Sequence, residues 1–243
     1  MMAADVSDSL WQSVNSGTMD QLVPELSALR MEQDPIHKHK DVLTHTIAVV
    51  AKTGADLEVR LGALFHDIAK PRTRSFEYGG VTFRHHEAVG AKMTRKRLRS
   101  LGYESDVIGN VSELVRLSGR FKGYSEGWTD SAVRRYARDA GPLLGKLNEL
   151  VRCDCTTRNQ IKVKVLHEHI ADLELRIRAL AEEDRRAAER PGIDGVDVME
   201  HLGIGPGREV GEALVMLLEV KRREGDLARS ELLARIDDWW AAR

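Results

Sequence analysis

Apolar residues recur at helical spacing through most of this 243-residue chain, and that period restricts its fold more than any other feature. Leu61, Leu64, Phe65 and Ile68 follow the i, i+3, i+4, i+7 pattern of one buried helix face. Leu143, Leu144, Leu147, Leu150 and Val151 repeat it, as do Leu166, Ile170, Leu173, Ile177 and Leu180. Only residues 75–84 read as strand-like, with Gly79-Gly80 suited to turning a short hairpin. The expected fold class is all-α: a helical bundle with a short β-hairpin at 75–84 and a helical C-terminal extension.

Three zones are expected. Residues 1–35 read as one or two short helices ending at Asp34-Pro35, because proline disfavours helix in the residue before it. Residues 36–158 carry nearly all the metal-competent side chains. Residues 159–243 begin with a long charged helix that stops at the break Arg190-Pro191-Gly192, and continue as short helices joined by the turn Gly203-Ile204-Gly205-Pro206-Gly207.

Neither an apolar run long enough to span a membrane nor a basic-then-apolar leader is present, and Cys153 and Cys155 stand too close on one helix to pair. The expected setting is the reducing cytoplasm. A net charge of −1 excludes a general electrostatic trap for nucleic acid, so any RNA contact must come from local basic patches. Trp239 and Trp240, after Leu232, Leu233 and Ile236, read as a stripe that seals a core or meets a second copy.

Six of the nine histidines, His37, His39, His45, His66, His85 and His86, fall within a fifth of the chain, which favours a metal or phosphate site over scattered surface use. The sharpest element is His66-Asp67 in LGALFHDIAKP, where an apolar stripe runs straight into a ligating pair. A carboxylate at a core edge needs a cation, and imidazole with carboxylate suits a divalent ion such as Mn, Ni, Mg, Fe or Zn. One pair supplies two ligands, so others must come from distant sequence. His45 in VLTHTIAVV and Asp154 in VRCDCTTRN are candidates, each a ligating group beside an apolar stripe.

The spaced H…HD…D pattern resembles the HD superfamily of metal-dependent phosphohydrolases. HKDVLTHT (39–46), ALFHDIAKPRT (63–73), HHEAVGAKM (85–93), WTDSAVRRYARDAGPLL (128–144) and DCTTRN (154–159) resemble, more closely, the HD-containing half of bacterial CCA-adding enzymes and related poly(A) polymerases. GIDGVDVMEHLGIGPGREVGEAL (192–214) is similar to the C-terminal region of the same enzymes. The resemblance implies an HD-type bundle in which His45, His66, Asp67 and Asp154 hold one divalent ion. It also implies that Lys70, helped by Arg72 and Arg84, meets a substrate phosphate, with His39 and His86 as proton carriers or neighbours of the ligands.

Two departures shape the functional expectation. Nothing before residue 36 offers the paired carboxylates of a nucleotide-adding head, so the chain as it stands is not expected to add CCA unless it is a fragment. In LVRLSGRFKGY (114–124), Ser118 and Lys122 occupy a segment where relatives usually carry histidines, which implies a single-metal centre, weaker activity or a vestigial site.

The preferred reading is therefore a hydrolase of nucleotides or RNA ends, acting on 2′,3′-cyclic phosphates or phosphomonoesters in tRNA end processing. A headless tRNA-binding module is the alternative, using Arg95, Lys96 and Arg97 with Arg134, Arg135 and Arg138, and the glycine turn as a phosphate contact. A nucleoside-monophosphate phosphatase ranks third, since it leaves the tail unexplained.

Overall fold

The computed structural model describes residues 3–31, 41–77 and 80–243. The chain divides into two compact units, one through Arg178 and one from Ala179. The first contains α1 (Ala3–Asn15), α2 (Thr18–Leu22), α3 (Pro24–Ser27), α4 (Val42–Lys52), α5 (Leu57–Phe65) and α6 (Lys70–Thr73). Strands β1 (Ser75–Glu77) and β2 (Gly80–Thr82) follow, then α7 (His86–Ser100), α8 (Ser105–Leu117), a 3₁₀ turn over Arg120–Glu126, α9 (Asp130–Ala140), α10 (Leu144–Asp154) and α11 (Gln160–Ala188). The unit boundary falls within α11. The second unit continues with α12 (Gly195–Leu202), α13 (Arg208–Glu224) and α14 (Arg229–Ala241).

The all-α expectation holds. Strands β1 and β2 pair antiparallel, with Ser75 opposite Thr82 and Glu77 opposite Gly80, where the alternating stretch predicted a hairpin. Among the described residues this is the sheet content of the chain. No helix is long and apolar enough to cross a membrane, among the residues described. Cys153 is buried and Cys155 half-buried, and both are free thiols.

Local chemistry fixes the helices that matter for the site. Asp41 caps α4 by accepting from the Thr44 amide at 3.0 Å, and Asp56 caps α5 by accepting from Glu58 and Val59 at 2.9 and 3.0 Å. The stripe Leu61, Phe65 and Ile68 is buried as its period predicts, in a core shared with Leu26, Leu29, Leu43, Leu98 and Val111. Helices α7 and α8 pack side by side. Gly90 permits the close approach, since a Cβ there would come within 3.2 Å of Val115.

Pro71 ends the α5 segment's regular helix. It has no N–H and its ring would strike the carbonyl four residues back, on Asp67. The chain instead tightens into i→i+3 bonds, Ile68 to Phe65 at 3.1 Å and Lys70 to Asp67 at 2.9 Å, and His66 and Asp67 stand in that turn. A proline four residues past Asp67 thus turns a helix end into a display of metal-competent groups.

The second unit has its own core of Ile193, Val198, Val210, Ala213, Leu217, Leu232 and Ile236, with Trp239 packed against it. Arg243 lies over the Trp239 and Trp240 rings at 4.7 and 5.5 Å. Asp194 and Asp197 form a reciprocal cap on α12. Gly203 ends α12 at φ 66°, so the glycine turn begins as a helix stop.

Leu114, fully buried between α5 and α8, and Leu175, 59% exposed on α11, give a direct contrast. Leu114→Ala is expected to lower stability by about 2–5 kcal/mol in urea titrations, and Leu175→Ala by less than about 0.5 kcal/mol. Equal losses would contradict this placement of the core.

Candidate metal centre

Four side chains from three separate stretches meet at one point. His45 comes from the middle of α4, His66 and Asp67 from the turn after α5, and Asp154 from the last residue of α10. His45 Nε2 lies 2.9 Å from Asp154 Oδ1, and His66 Nε2 lies 3.4 Å from the same oxygen. Asp67 Oδ2 is 3.1 Å from His66 Nε2 and 3.8 Å from His45 Nε2. The two Nε2 atoms are 3.3 Å apart. One ligand atom from each of His45, His66 and Asp67 lies within 4.8 Å of the others.

These distances suit a shared ion. Ligand atoms about 2.1 Å from one cation lie roughly 3.0–3.4 Å apart at octahedral or tetrahedral angles. The tautomers fit as well. His66 Nδ1 donates to the Ala63 carbonyl at 2.7 Å, which leaves the neutral ring a lone pair on Nε2, aimed at the cluster. His45 Nδ1 is hydrogen-bonded to Thr156 Oγ1 at 3.0 Å, which orients its Nε2 the same way.

Electrostatics points in the same direction. Asp154 sits at the negative end of α10, where a carboxylate is disfavoured unless it faces a cation. Asp67 is almost fully buried and faces both imidazoles. Burial by itself would depress the basicity of His66, yet the adjacent Asp67 and Asp154 overcome it and push the imidazole up to about 10. Burial would likewise raise the two carboxyls, but their cationic and hydrogen-bonding neighbours hold Asp67 and Asp154 well below the usual carboxylate range.

The other predicted residues divide sharply. Lys70 is buried, with Nζ 2.7 Å from Asp67 Oδ2 and 5.5 Å from the Phe83 ring centroid. It pairs with the Asp67 carboxylate on the wall of the cavity beside the cluster. His86 donates from Nδ1 to the Phe83 carbonyl at 2.8 Å and presents Nε2 to Asp67 Oδ1 at 3.5 Å. Arg84 pairs with Glu77 on the hairpin at 2.8 Å, and Arg72 is exposed; neither lines the cavity beside the cluster. His37 and His39 lie outside the described residues. His85 adopts φ 59° at the start of α7.

The basic segment on α7 also departs from expectation at one position. Arg97 turns inward to a two-pronged pair with Glu25 at 2.8 and 3.0 Å, a tie between α7 and α3 and not a phosphate contact. Its neighbours Arg95 and Lys96 are exposed. On α9, Arg135 and Arg138 are exposed and Arg134 is half-buried.

A cavity of about 200 Å³ opens beside the cluster, walled by the four convergent residues with Lys70, His86, Ser118, Gly119 and Lys122. Ser118 and Lys122 therefore line the cavity beside the cluster. Sequence reasoning did not single out Thr156 or Glu87. The hydroxyl two residues after Asp154 was the one available signal for Thr156.

Residues 42–153 match the HD domain family model, and HD domains form a superfamily of metal-dependent phosphohydrolases. The resemblance read from the longer motifs is also borne out. The chain is 31% identical over 223 residues to the CC-adding tRNA nucleotidyltransferase of Thermus thermophilus, covering 88% of this chain and 48% of that protein. It is 29% identical over 213 residues to the A-adding tRNA nucleotidyltransferase of Deinococcus radiodurans, covering 84% and 48% respectively. The chain spans about half the length of the curated relatives it matches.

Three measurements follow from the geometry. A His66→Ala, Asp67→Ala double variant is expected to lose stoichiometric Mn or Ni in metal analysis. Thr156→Val, which removes the bond that orients His45, should weaken metal binding about 10–100-fold in calorimetric titration. Metal affinity should also rise with pH, because the ion must displace the proton shared in the cluster. A double variant that retains its metal would refute the assignment.

Proposed function

We propose that this chain is a metal-dependent phosphohydrolase acting on nucleotides or RNA ends. It opens 2′,3′-cyclic phosphates or removes phosphomonoesters, in tRNA end processing or repair. The observation that carries the reading is that the two imidazole Nε2 atoms each lie 2.9–3.8 Å from a carboxylate oxygen of Asp67 and of Asp154, on the wall of a cavity large enough for a phosphate. His45, His66, Asp67 and Asp154 would hold the ion. When bound, a divalent ion supplies positive charge to a phosphoryl oxygen and brings the pKa of water toward neutrality.

The chain's own groups do the rest. Lys70 holds Asp67 ionised and oriented through its 2.7 Å contact, and adds a fixed positive charge to the floor of the site. His86 has its Nδ1 proton fixed on the Phe83 carbonyl, so its Nε2 is the nitrogen that can take or deliver a proton at the cavity. The likeness to enzymes that act on tRNA supports an RNA end as substrate.

A second reading, tRNA binding, is favoured by the exposure of Arg95 and Lys96 on α7 and of Arg135 on α9. It is separable from the first. Binding through these side chains should weaken steeply with salt, and should persist in the His66→Ala, Asp67→Ala variant.

The direct test is hydrolysis of a 2′,3′-cyclic nucleotide by the full chain with Mn, Ni or Mg. Turnover is expected with at least one of these metals, and the double variant should lose it. Inactivity with all three metals on both cyclic and monoester substrates would overturn the proposal.

A further inference from the structure

Helix α4 carries His45 and, two turns later on the same face, Lys52. At 1.5 Å per residue the two stand about 10 Å apart along the axis. Helical side chains lean toward the N-terminus, so Lys52 reaches back along α4 toward the turn that holds His45. Its ammonium donates to the carbonyl of Cys155, the residue directly after Asp154. Lys52 itself is exposed, at the last position of its helix.

The backbone it meets has an unusual task. Helix α10 ends at Asp154, and Cys155 leaves the helix at φ −74°, ψ 91°. Carbonyls at a helix C-terminus lack partners within the helix, and a lysine amine there can satisfy them and offset the negative end of the dipole. The same turn aims two side chains at one imidazole. Asp154 Oδ1 lies 2.9 Å from His45 Nε2, and Thr156 Oγ1 lies 3.0 Å from His45 Nδ1. Both ring nitrogens of His45 are therefore met from the three-residue stretch whose middle carbonyl Lys52 holds. The contact continues past Lys52, where the Gly54 amide donates to Glu149 Oε1 on α10 at 3.1 Å. A Cβ at Gly54 would come within 3.2 Å of that oxygen, so glycine allows this approach.

We propose that Lys52 is a positioning residue of the metal centre. It acts through the Cys155 carbonyl, fixing the turn from which Asp154 and Thr156 meet His45. This rests on the metal-centre assignment and adds to it a residue outside the cavity. Charge and geometry predict opposite signs for its removal. A nearby ammonium repels a bound cation, so losing its charge alone would tighten metal binding. Losing the turn would weaken it.

The experiment titrates Mn into the full chain by calorimetry, with urea unfolding of each ion-free variant alongside. Lys52→Met is expected to bind Mn about tenfold more weakly, the lower end for loss of a group that orients a ligand, with its urea midpoint little changed. Lys52→Arg, which keeps a donor, should restore most of the affinity. In a Thr156→Val background Lys52→Met should cost less than it does alone, because both changes act on the same imidazole. Nitrogen NMR of the ion-free protein supplies a readout that needs no metal. The His45 ring, identified by its loss in His45→Gln, should show one fixed environment in the unmodified protein and exchange broadening in Lys52→Met.

Mn binding by Lys52→Met equal to or tighter than that of the unmodified protein would overturn the proposal. So would a Lys52→Arg protein that recovers none of the loss. If the unmodified protein takes up no Mn, the metal-centre assignment fails, and a His45 ring equally fixed with and without Lys52 would then overturn the positioning role by itself.

Discussion

Two carboxylates, Asp67 and Asp154, face one small space together with two imidazole lone pairs, and this concentration of negative charge is what the rest of the first unit must accommodate. Neither carboxylate is placed where its charge is easily tolerated. Asp67 is buried and Asp154 stands at the carbonyl end of a helix. Lys70 offsets one charge from within the protein. The remainder is met at His66, whose imidazole the two carboxylates push up to about 10, or by an ion bound in its place.

The surrounding packing keeps these groups from drifting apart. Helix α4 is held by its Asp41 cap and the burial of Val42, Leu43, Ile47 and Val50. The turn after α5 is pinned between buried Phe65 and Ile68, which flank the His66-Asp67 pair. Leu147, Leu150 and Val151 anchor α10 one to two turns before Asp154. Each of these four side chains therefore projects from a segment whose own register is fixed by apolar burial. Displacement of any ligand would require moving core residues, and that rigidity suits a site that must hold one geometry.

Much of this was legible in the sequence because two signals coincide there. Apolar periodicity marks the buried face of α5, and a ligating pair interrupts it at a proline, so the position of His66 and Asp67 at a helix end could be read directly. His45 and Asp154 follow the same logic on other helices. Charged residues without a burial signal were less readable. Arg97 looks like its neighbours Arg95 and Lys96 in a basic run, yet Glu25, 72 positions earlier, draws it inward. The pairing of Lys70 with Asp67 three residues earlier is likewise visible only once the turn after α5 is placed. Thr156 acts through His45, 111 positions away, and sequence position alone does not reveal that pairing.

X-ray absorption at the metal edge of the Mn- or Ni-loaded protein tests the central claim most directly, because it reads the ligand atoms themselves. Two imidazoles should appear through their outer-shell multiple scattering, with nitrogen and oxygen ligands near 2.1 Å, roughly the distance usual for such donors. A spectrum with no imidazole scattering, or with a full shell of water oxygens, would contradict the convergence of His45 and His66 on one ion.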